Sequence, residues 1–221
     1  MLENTNIMTA QRPSFVLFDL GNVLVHISPE AFLQELGIDT PENRRFYQAR
    51  VNEIVREYEC GNDGTEEFLA RLDRLFNNER GHTANNARIG VFSADDLRLA
   101  MLAVVGKPVQ GMRELVARLR GPVPLGLLSN TNPLHYDWCM ENLPVLQLIP
   151  SHFLSYKLGF LKPEARVFAR VVETLRLPPG NILYIDDMPE NIEAGRRAGL
   201  TCHLFLEHGR LEQELLVMDL L

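Results

Sequence analysis

The stretch that decides the fold is FVLFDLGN, residues 15–22, in which four apolar residues lead into an acidic residue and a turn. An unbroken apolar run of this length is typical of a strand buried on both faces of a parallel sheet. Comparable runs occur at residues 124–128 and 181–185, and amphipathic helical patterns separate the three runs. Strands that alternate with helices predict an α/β fold with a doubly wound parallel sheet.

Residues 27–108 lack this alternation, and their pattern predicts helices and loops without a strand. One helix is expected over residues 41–59 and another from Ser93 to Val105, with a polar loop at residues 77–90. This part of the chain is therefore predicted to form an all-helical cap domain that is inserted into the α/β fold.

The change of pattern also sets the expected domain boundaries. Residues 1–26 and 109–221 are predicted to form the core, and residues 27–108 the cap. Within the core, a helix is expected from Pro163 to Leu175, with its proline in the first turn.

Composition and charge exclude several classes of function. The 221 residues carry 22 basic and 29 acidic side chains, and a net charge of −7 gives no general attraction to nucleic acids or anionic membranes. No apolar run approaches the roughly 20 residues of a membrane span. Residues 1–14 lack the apolar segment of a signal peptide, and the three cysteines show no metal-ligand spacing. We therefore expect a cytoplasmic protein, with its oligomeric state left open.

Polar residues follow the predicted strands at the edge where open α/β sheets bind ligands. Asp19 follows the first strand, Ser129 the second, and Asp186 and Asp187 the third, while Lys162 is one of only three lysines. Converging carboxylates repel one another and call for a cation, and oxygen ligands favour Mg²⁺. A lysine and a hydroxyl facing that cation suit phosphate, and a carboxylate beside a metal ion can form an aspartyl-phosphate.

Four segments together resemble the motifs of the haloacid dehalogenase superfamily, in the same order and at comparable spacing. They are FDLGNVL at 18–24, LSNTN at 128–132, KPE at 162–164 and YIDD at 184–187. Each is unspecific alone, whereas their joint occurrence is highly specific. The segments YECG at 58–61 and EEF at 66–68 also resemble the helical cap of this superfamily. The resemblance implies a Mg²⁺-dependent phosphatase for a small phosphorylated metabolite, and the DLGN form resembles a branch that acts on glucose 1-phosphate.

The resemblance assigns the catalytic and phosphate-binding residues one by one. It implies that Asp19 is the nucleophile and that Lys162 pairs with this carboxylate and with the phosphate. The Ser129 hydroxyl and the Asn130 N–H match the groups that bind phosphoryl oxygens.

The same resemblance implies the ligands of a magnesium ion. Asp19 and Asp187 match direct carboxylate ligands, and the Gly21 carbonyl matches a main-chain ligand. Asp186 matches a shared or indirect ligand. Asn191, four residues after Asp187, matches a position that often supports the metal-binding residues.

Gly21 departs from the pattern of the superfamily. Most of its phosphatases carry an Asp at this position, two residues after the nucleophile, which acts as general acid and then as base. A glycine can do neither, and the loss of a general acid typically costs about 10²–10⁴-fold in rate. One explanation is a leaving group that needs less help, such as an anomeric sugar phosphate. Alternatively, another group such as His26 or Glu59 serves, although both are also typical of plain surface residues, or the chain binds phosphate without turnover.

Two other hydrolytic activities are less well supported. A 2-haloacid dehalogenase also lacks the second Asp, but it uses no metal and would leave Asp186 and Asp187 uncompensated beside an anionic substrate. Phosphonate hydrolysis through a Schiff base needs a lysine from the cap, and residues 27–106 contain none.

The substrate itself is not identified by the sequence. The cap is expected to select it, and Arg44, Arg45 and Arg50 on a cap helix either contact it or form a solvated face. His135, Tyr136 and Trp138 follow the Ser-Asn-Thr loop and either border the pocket or pack in the core.

Overall fold

The computed structural model describes residues 12–78 and 91–221. Most of the loop predicted at residues 77–90 lies outside these residues. The same is true of most of residues 1–14, the segment in which no signal peptide is expected. The strands are β1 (Phe15–Phe18), β2 (Val25–Ile27), β3 (Val105–Pro108), β4 (Leu125–Ser129), β5 (Ser151–Leu154), β6 (Ile182–Asp186) and β7 (Thr201–Leu204). The helices are α1 (Glu30–Glu35), α2 (Pro41–Glu59), α3 (Thr65–Asp73), α4 (Ala94–Ala103), α5 (Met112–Leu119), α6 (Pro133–Asn142), α7 (Ser155–Leu158), α8 (Ala165–Leu175), α9 (Pro189–Arg197) and α10 (His208–Val217).

Five strands form one parallel sheet in the order β5-β4-β1-β6-β7. The central strand β1 pairs with β4 on one side and β6 on the other, so that Val16 lies between Leu125 and Leu183. All residues of these three strands are buried, which explains why they read as unbroken apolar runs. The predicted doubly wound parallel sheet is therefore confirmed.

Helices cover both faces of this sheet. On one face, side chains of α5 and α10 such as Val116 and Leu211 pack against the strands. On the other face, α8 and α9 contribute side chains such as Phe168 and Ile192. Within residues 12–78 and 91–221, no helix is both long and apolar enough to cross a bilayer.

Helices α1 to α4 pack around an apolar cluster of their own. Its buried side chains include Phe32, Tyr47, Phe76 and Met101, and the ring of Tyr47 stacks on Phe76 at 4.9 Å. Helix α2 begins as the sequence predicts, because the Thr40 side chain accepts a hydrogen bond from the Asn43 N–H. The limits of the cap at residues 27 and 108 stay a prediction.

The expectation that residues 27–108 contain no strand was wrong. Strand β3 pairs with β2 in an antiparallel two-stranded sheet, with Ile27 opposite Val105. The helix that was expected to reach Val105 ends at Ala103. Four residues that include Gly106 and Pro108 give no periodic signal, since their pairing depends on the main chain and on the partner strand. Strand β2 ends at Ile27 and β3 ends at Pro108, the two positions at which the limits of the cap are predicted.

The helix expected from Pro163 begins instead at Ala165. Glu164 has an extended main chain, its N–H donates to the Leu161 carbonyl at 2.9 Å, and its side chain accepts from the Leu161 N–H at 3.2 Å. Proline also disfavours helical geometry at the residue before it. Lys162 therefore lies in a tight turn ahead of α8, and this turn fixes its direction.

Candidate active site

The parallel register brings the predicted polar residues to one edge of the sheet. Asp19 directly follows β1, Ser129 ends β4 and Asp186 ends β6. The Asp19 N–H donates to the Ile185 carbonyl at 2.8 Å, which aligns the ends of the two strands. Asp19, Ser129, Lys162 and Asp186 are all at most 7% exposed. Buried polar side chains of this kind need partners, and here Lys162 is the partner of both Asp19 and Asp186.

Lys162 connects two of the carboxylates. Its Nζ atom lies 2.7 Å from Oδ1 of Asp19 and 2.7 Å from Oδ2 of Asp186. Burial alone would lower the pKa of this lysine, but the two carboxylates raise it above its ordinary value. The ammonium group is therefore charged at neutral pH and lies directly beside the predicted nucleophile.

Asp186 has hydrogen-bond partners on both of its oxygens. Besides Lys162, it accepts from the Tyr184 hydroxyl, from the Met188 N–H at 2.8 Å and from the Asn191 amide at 3.0 and 3.1 Å. Burial would raise the pKa of Asp186, but Lys162 and these donors hold it below its ordinary value. This carboxylate is thus a fixed anion that orients the lysine. Asn191, predicted as a supporting residue, makes its contact here.

The side chain of Asn130 holds the main chain of Lys162. Its side-chain amide accepts from the Lys162 N–H at 2.8 Å and donates to the Lys162 carbonyl at 3.0 Å. The neighbouring Ser129 hydroxyl is only weakly bonded, to the Asn130 carbonyl at 3.3 Å. The hydroxyl therefore remains available to donate to another acceptor.

Three carboxylates form an acidic cluster, which consists of Asp19, Asp186 and Asp187. Each offers an oxygen within 4.8 Å of the others. Burial, and then the charge of Asp186, raise the pKa of Asp19 to about 7, and the same two causes raise the pKa of Asp187. One ammonium against three carboxylates leaves an excess of negative charge in a site of low solvent access. A divalent cation with oxygen ligands fits this donor set.

Two residues that the sequence interpretation missed belong to this site. Asn22 adopts a left-handed main chain with φ of 53°, donates to Asp187 at 3.0 Å and accepts from the Ile27 N–H at 3.0 Å. Its Gly-Asn context is typical of such a turn and could have pointed to it. The Tyr184 hydroxyl contacts Asp186, but a tyrosine in an apolar strand gives no signal beyond core packing.

A cavity of about 430 Å³ opens from this edge of the sheet toward the cap. Gly21, Ser129, Asn130 and Thr131 line its core side. One face of α2 lines the cap side, through Gln48, Val51, Asn52, Val55, Arg56 and Glu59. The size lies within the range of small-molecule sites, about 300–1,000 Å³.

For Arg44, Arg45 and Arg50 the sequence left substrate contact and a solvated face open, and none of the three lines this cavity. Arg44 pairs with Asp39 at 2.9 Å, and Arg50 stacks over the ring of Phe46 at 3.9 Å. Arg56 takes their place in the cavity lining.

The aromatic residues after the Ser-Asn-Thr loop divide between core and cavity. Tyr136 and Trp138 pack against the core, whereas His135 lines the cavity. The two suggested replacements for a general acid also divide, because His26 is exposed and Glu59 lines the cavity.

An α/β sheet with an acidic cluster and a buried lysine at its strand ends, beneath an inserted helical unit, defines a hydrolase-type site. The chain matches the haloacid dehalogenase-like hydrolase family over residues 14–199 and belongs to this family. The resemblance drawn from the four motifs is thus confirmed. The chain is similar to a D-ribitol-5-phosphate phosphatase of Bacteroides thetaiotaomicron, 28% identical over 196 residues that cover 83% of this chain and 87% of the relative.

Solved structures show the same fold. One is a HAD family enzyme from Bacteroides thetaiotaomicron in complex with magnesium and inorganic phosphate, with a TM-score of 0.74, 21% identity and coverage of 88% of this chain and 95% of that chain. Another is a predicted HAD-like family hydrolase from Porphyromonas gingivalis, with a TM-score of 0.73, 23% identity and coverage of 93% and 98%. The α/β architecture predicted from the sequence is therefore shared with these solved structures.

Proposed function

We propose that the chain is a magnesium-dependent phosphatase that hydrolyses a sugar or polyol phosphate through an aspartyl-phosphate on Asp19. The observation that carries this proposal is the ammonium of Lys162, which lies 2.7 Å from Asp19 and 2.7 Å from Asp186, two of the three carboxylates of the acidic cluster. This arrangement suits a phosphoryl group, which needs a nucleophile on one side and positive charge around its oxygens. The activity named for the relative from Bacteroides thetaiotaomicron supports the same class of reaction.

Magnesium is the cation that the donor set favours. Asp19, Asp187 and the Gly21 carbonyl would hold it, with Asp186 shared or indirect and Asn191 supporting the cluster. When bound, the ion would offset the repulsion between the anionic nucleophile and the anionic substrate. The pKa of Asp19, about 7 without the ion, supports this role, because an adjacent cation favours the charged carboxylate that attack requires.

The remaining residues bind and orient the phosphoryl group. Asp19 attacks phosphorus, while Lys162 neutralises phosphoryl oxygens and stays anchored by Asp186. The Ser129 hydroxyl and the Asn130 N–H donate to the other oxygens. The Asn130 side chain is not free for this purpose, since it holds the main chain of Lys162.

The cavity supports a small polar substrate. Gln48, Asn52 and Arg56 are spaced four residues apart and line the cavity from the same face of α2. Amide and guanidinium groups in a row suit the hydroxyl groups of a sugar or polyol, which both donate and accept hydrogen bonds.

The two alternative functions, a dehalogenase and a non-catalytic phosphate-binding protein, do not explain the acidic cluster. A metal-independent dehalogenase would place three carboxylates beside a carboxylate substrate with one lysine to compensate them, which is electrostatically unfavourable. A non-catalytic phosphate-binding protein would have no use for a nucleophile held against a charged lysine. The motif positions other than Gly21 all carry residues that suit catalysis, and this favours turnover.

The test is phosphate release from p-nitrophenyl phosphate with and without Mg²⁺. Wild-type protein is expected to require the ion, and Asp19→Asn is expected to lose activity. Asp95→Asn, an exposed position in the first turn of α4, removes a similar charge outside the cavity lining and serves as control. Halide release from a 2-haloacid without Mg²⁺ would favour the dehalogenase, and phosphate binding without turnover would favour the binding protein.

A further inference from the structure

Gly21 leaves the proposed phosphatase without a proton donor at the usual place. An alkoxide leaving group from an alkyl phosphate needs a proton as its bond to phosphorus breaks. Within the described part of the chain, the cavity lining contains four titratable side chains, namely Arg56, Glu59, His135 and Cys139. A replacement donor has to be found among them.

Three of these four side chains are unsuitable. Arginine does not release its proton in proteins. Both ring nitrogens of His135 are engaged, one with the Met101 carbonyl at 2.8 Å and the other with the Asn132 amide at 3.1 Å. Burial raises the pKa of the Cys139 thiol to about 12. Glu59 remains, since no hydrogen bond to its carboxyl group occurs among the described residues.

Contacts on both sides of Glu59 hold it at the cavity. The hydroxyl of the preceding Tyr58 accepts from the Leu134 N–H of the core at 3.3 Å and bonds to Thr65 of the cap at 2.8 Å. Two residues after Glu59, Gly61 lies so close to the core that a Cβ there would be 2.2 Å from the Tyr156 carbonyl oxygen. The end of α2 therefore rests on the core, with Glu59 between its two points of contact.

The surroundings of Glu59 suit an acid that also acts as a base. Burial raises the pKa of Glu59 to about 7, and the positive charges of Arg56 and Lys162 limit the rise. Burial lowers the pKa of His135, which lines the same cavity, so this ring is neutral near pH 7. Near neutral pH the carboxyl group can therefore give up a proton and take one back.

We propose that Glu59 of the cap is the general acid and base that compensates for Gly21. This inference rests on the proposed phosphatase function. As the Asp19 carboxylate bonds to phosphorus, the bond from phosphorus to the leaving oxygen breaks, and Glu59 gives that oxygen its proton. The alcohol departs and leaves an aspartyl-phosphate and a Glu59 carboxylate.

The second half of the reaction restores both residues. The Glu59 carboxylate takes a proton from a water molecule while the water oxygen bonds to phosphorus. The bond between phosphorus and the Asp19 oxygen then breaks, inorganic phosphate leaves, and Glu59 is protonated again. Because Glu59 belongs to the cap, proton transfer is possible only while the end of α2 rests on the core.

The test compares an alkyl phosphate with an aryl phosphate in Glu59→Gln. With D-ribitol 5-phosphate, the variant is expected to lose about 10²–10⁴-fold in kcat. With p-nitrophenyl phosphate, whose leaving group needs no proton, the variant should still release about one equivalent of nitrophenolate per enzyme in a burst. Slow turnover should follow, because the general base is missing. Glu53→Gln, on an exposed face of the same helix, is the matched control.

The possible outcomes separate the two proposals. An inactive wild type with both substrates and Mg²⁺ overturns the phosphatase function itself. A wild type that is active, together with a Glu59→Gln variant within threefold of it on the alkyl phosphate, overturns the role of Glu59 alone. Equal losses on both substrates without a burst assign Glu59 to binding and also overturn its role as an acid.

A measurement on the unmodified protein provides independent evidence. Above about pH 7, kcat/KM for the alkyl phosphate is expected to fall as Glu59 loses its proton. The kcat/KM for p-nitrophenyl phosphate, which reports the steps up to release of nitrophenolate, should not show this decline. Identical pH profiles for the two substrates would contradict the proposal even if Glu59→Gln failed to fold.

Discussion

The side-chain amide of Asn130 holds the main chain of Lys162 by two hydrogen bonds, accepting from its N–H at 2.8 Å and donating to its carbonyl at 3.0 Å. The ammonium group of the same lysine lies 2.7 Å from Asp19 and from Asp186. The loop after β4 thus fixes the turn before α8, and this turn places a charge beside the predicted nucleophile.

Asn130→Ala removes both hydrogen bonds and leaves the main-chain N–H of residue 130 in place. We expect at least a tenfold loss of kcat, because Lys162 is no longer held against Asp19. The free energy of unfolding should fall by about 1–3 kcal/mol, since two main-chain groups lose their partner. Phosphate release and urea unfolding measure the two effects. Asn142→Ala, which removes an exposed amide at the end of α6, should change neither by much, and equal behaviour of the two variants would contradict the role of Asn130.

The positions of the strand-end residues could be predicted because buried parallel strands appear in a sequence as unbroken apolar runs. Apolar runs located β1, β4 and β6, and the residues that follow them had to share an edge once the sheet was parallel. Asp19, Ser129 and Asp186 therefore came together as the sequence indicated. Their assigned roles in catalysis and metal binding stay predictions.

The cap face of the site could not be predicted in this way. Arg44, Arg50 and Arg56 lie on one amphipathic helix, and its pattern separates buried from exposed positions only. Which polar residues meet the core depends on how α2 rests on the core, and this is decided by contacts distant in sequence such as Tyr58 with Leu134. The pairing of β2 with β3 depends on tertiary contacts in the same way.

Gly61→Ala should separate the cap from the core. The glycine has φ of 76°, and an added Cβ would lie 2.2 Å from the Tyr156 carbonyl oxygen. We expect kcat/KM to fall at least tenfold, because the end of α2 can no longer approach the cavity. Gly37→Ala is the matched control, since Gly37 also has a positive φ of 68° but has nothing within 4 Å of the added Cβ. A similar loss of kcat/KM in both variants would mean that main-chain strain, rather than the cap–core contact, is responsible.

Asn22→Gly should weaken the binding of magnesium. Glycine tolerates the left-handed main chain at this position, so the substitution removes only the side chain that bonds Asp187 and the Ile27 N–H. Loss of such a supporting contact typically costs about 10–100-fold in metal affinity. Titration calorimetry with Mg²⁺, and the Mg²⁺ dependence of phosphate release, measure the change. Arg176→Gly is the control, because Arg176 is also a left-handed non-glycine residue, at the end of α8, but does not belong to the acidic cluster, and the substitution is expected to leave Mg²⁺ affinity unchanged.

The buried carboxyl group of Glu59 should also make stability depend on pH. Its pKa is about 7 in the folded protein and 4.5 ordinarily, chiefly because of burial, so between these values the folded state keeps a proton that the unfolded state loses. The contribution of Glu59 to the free energy of unfolding therefore decreases as the pH rises from about 4.5 to 7, and it levels off above that range.

Glu59→Gln removes this titration and should become progressively more stable than the wild type across the same range. The difference between the two proteins should grow by about 1–2 kcal/mol between pH 5 and pH 8, after allowance for partial exposure of the side chain. Urea unfolding at pH 5, 6, 7 and 8 without Mg²⁺ measures it, and Glu53→Gln serves as the exposed control, with an expected change of about 0.5 kcal/mol or less. A constant difference between Glu59→Gln and the wild type would show that Glu59 is charged throughout, and a permanently charged carboxylate cannot protonate a leaving group.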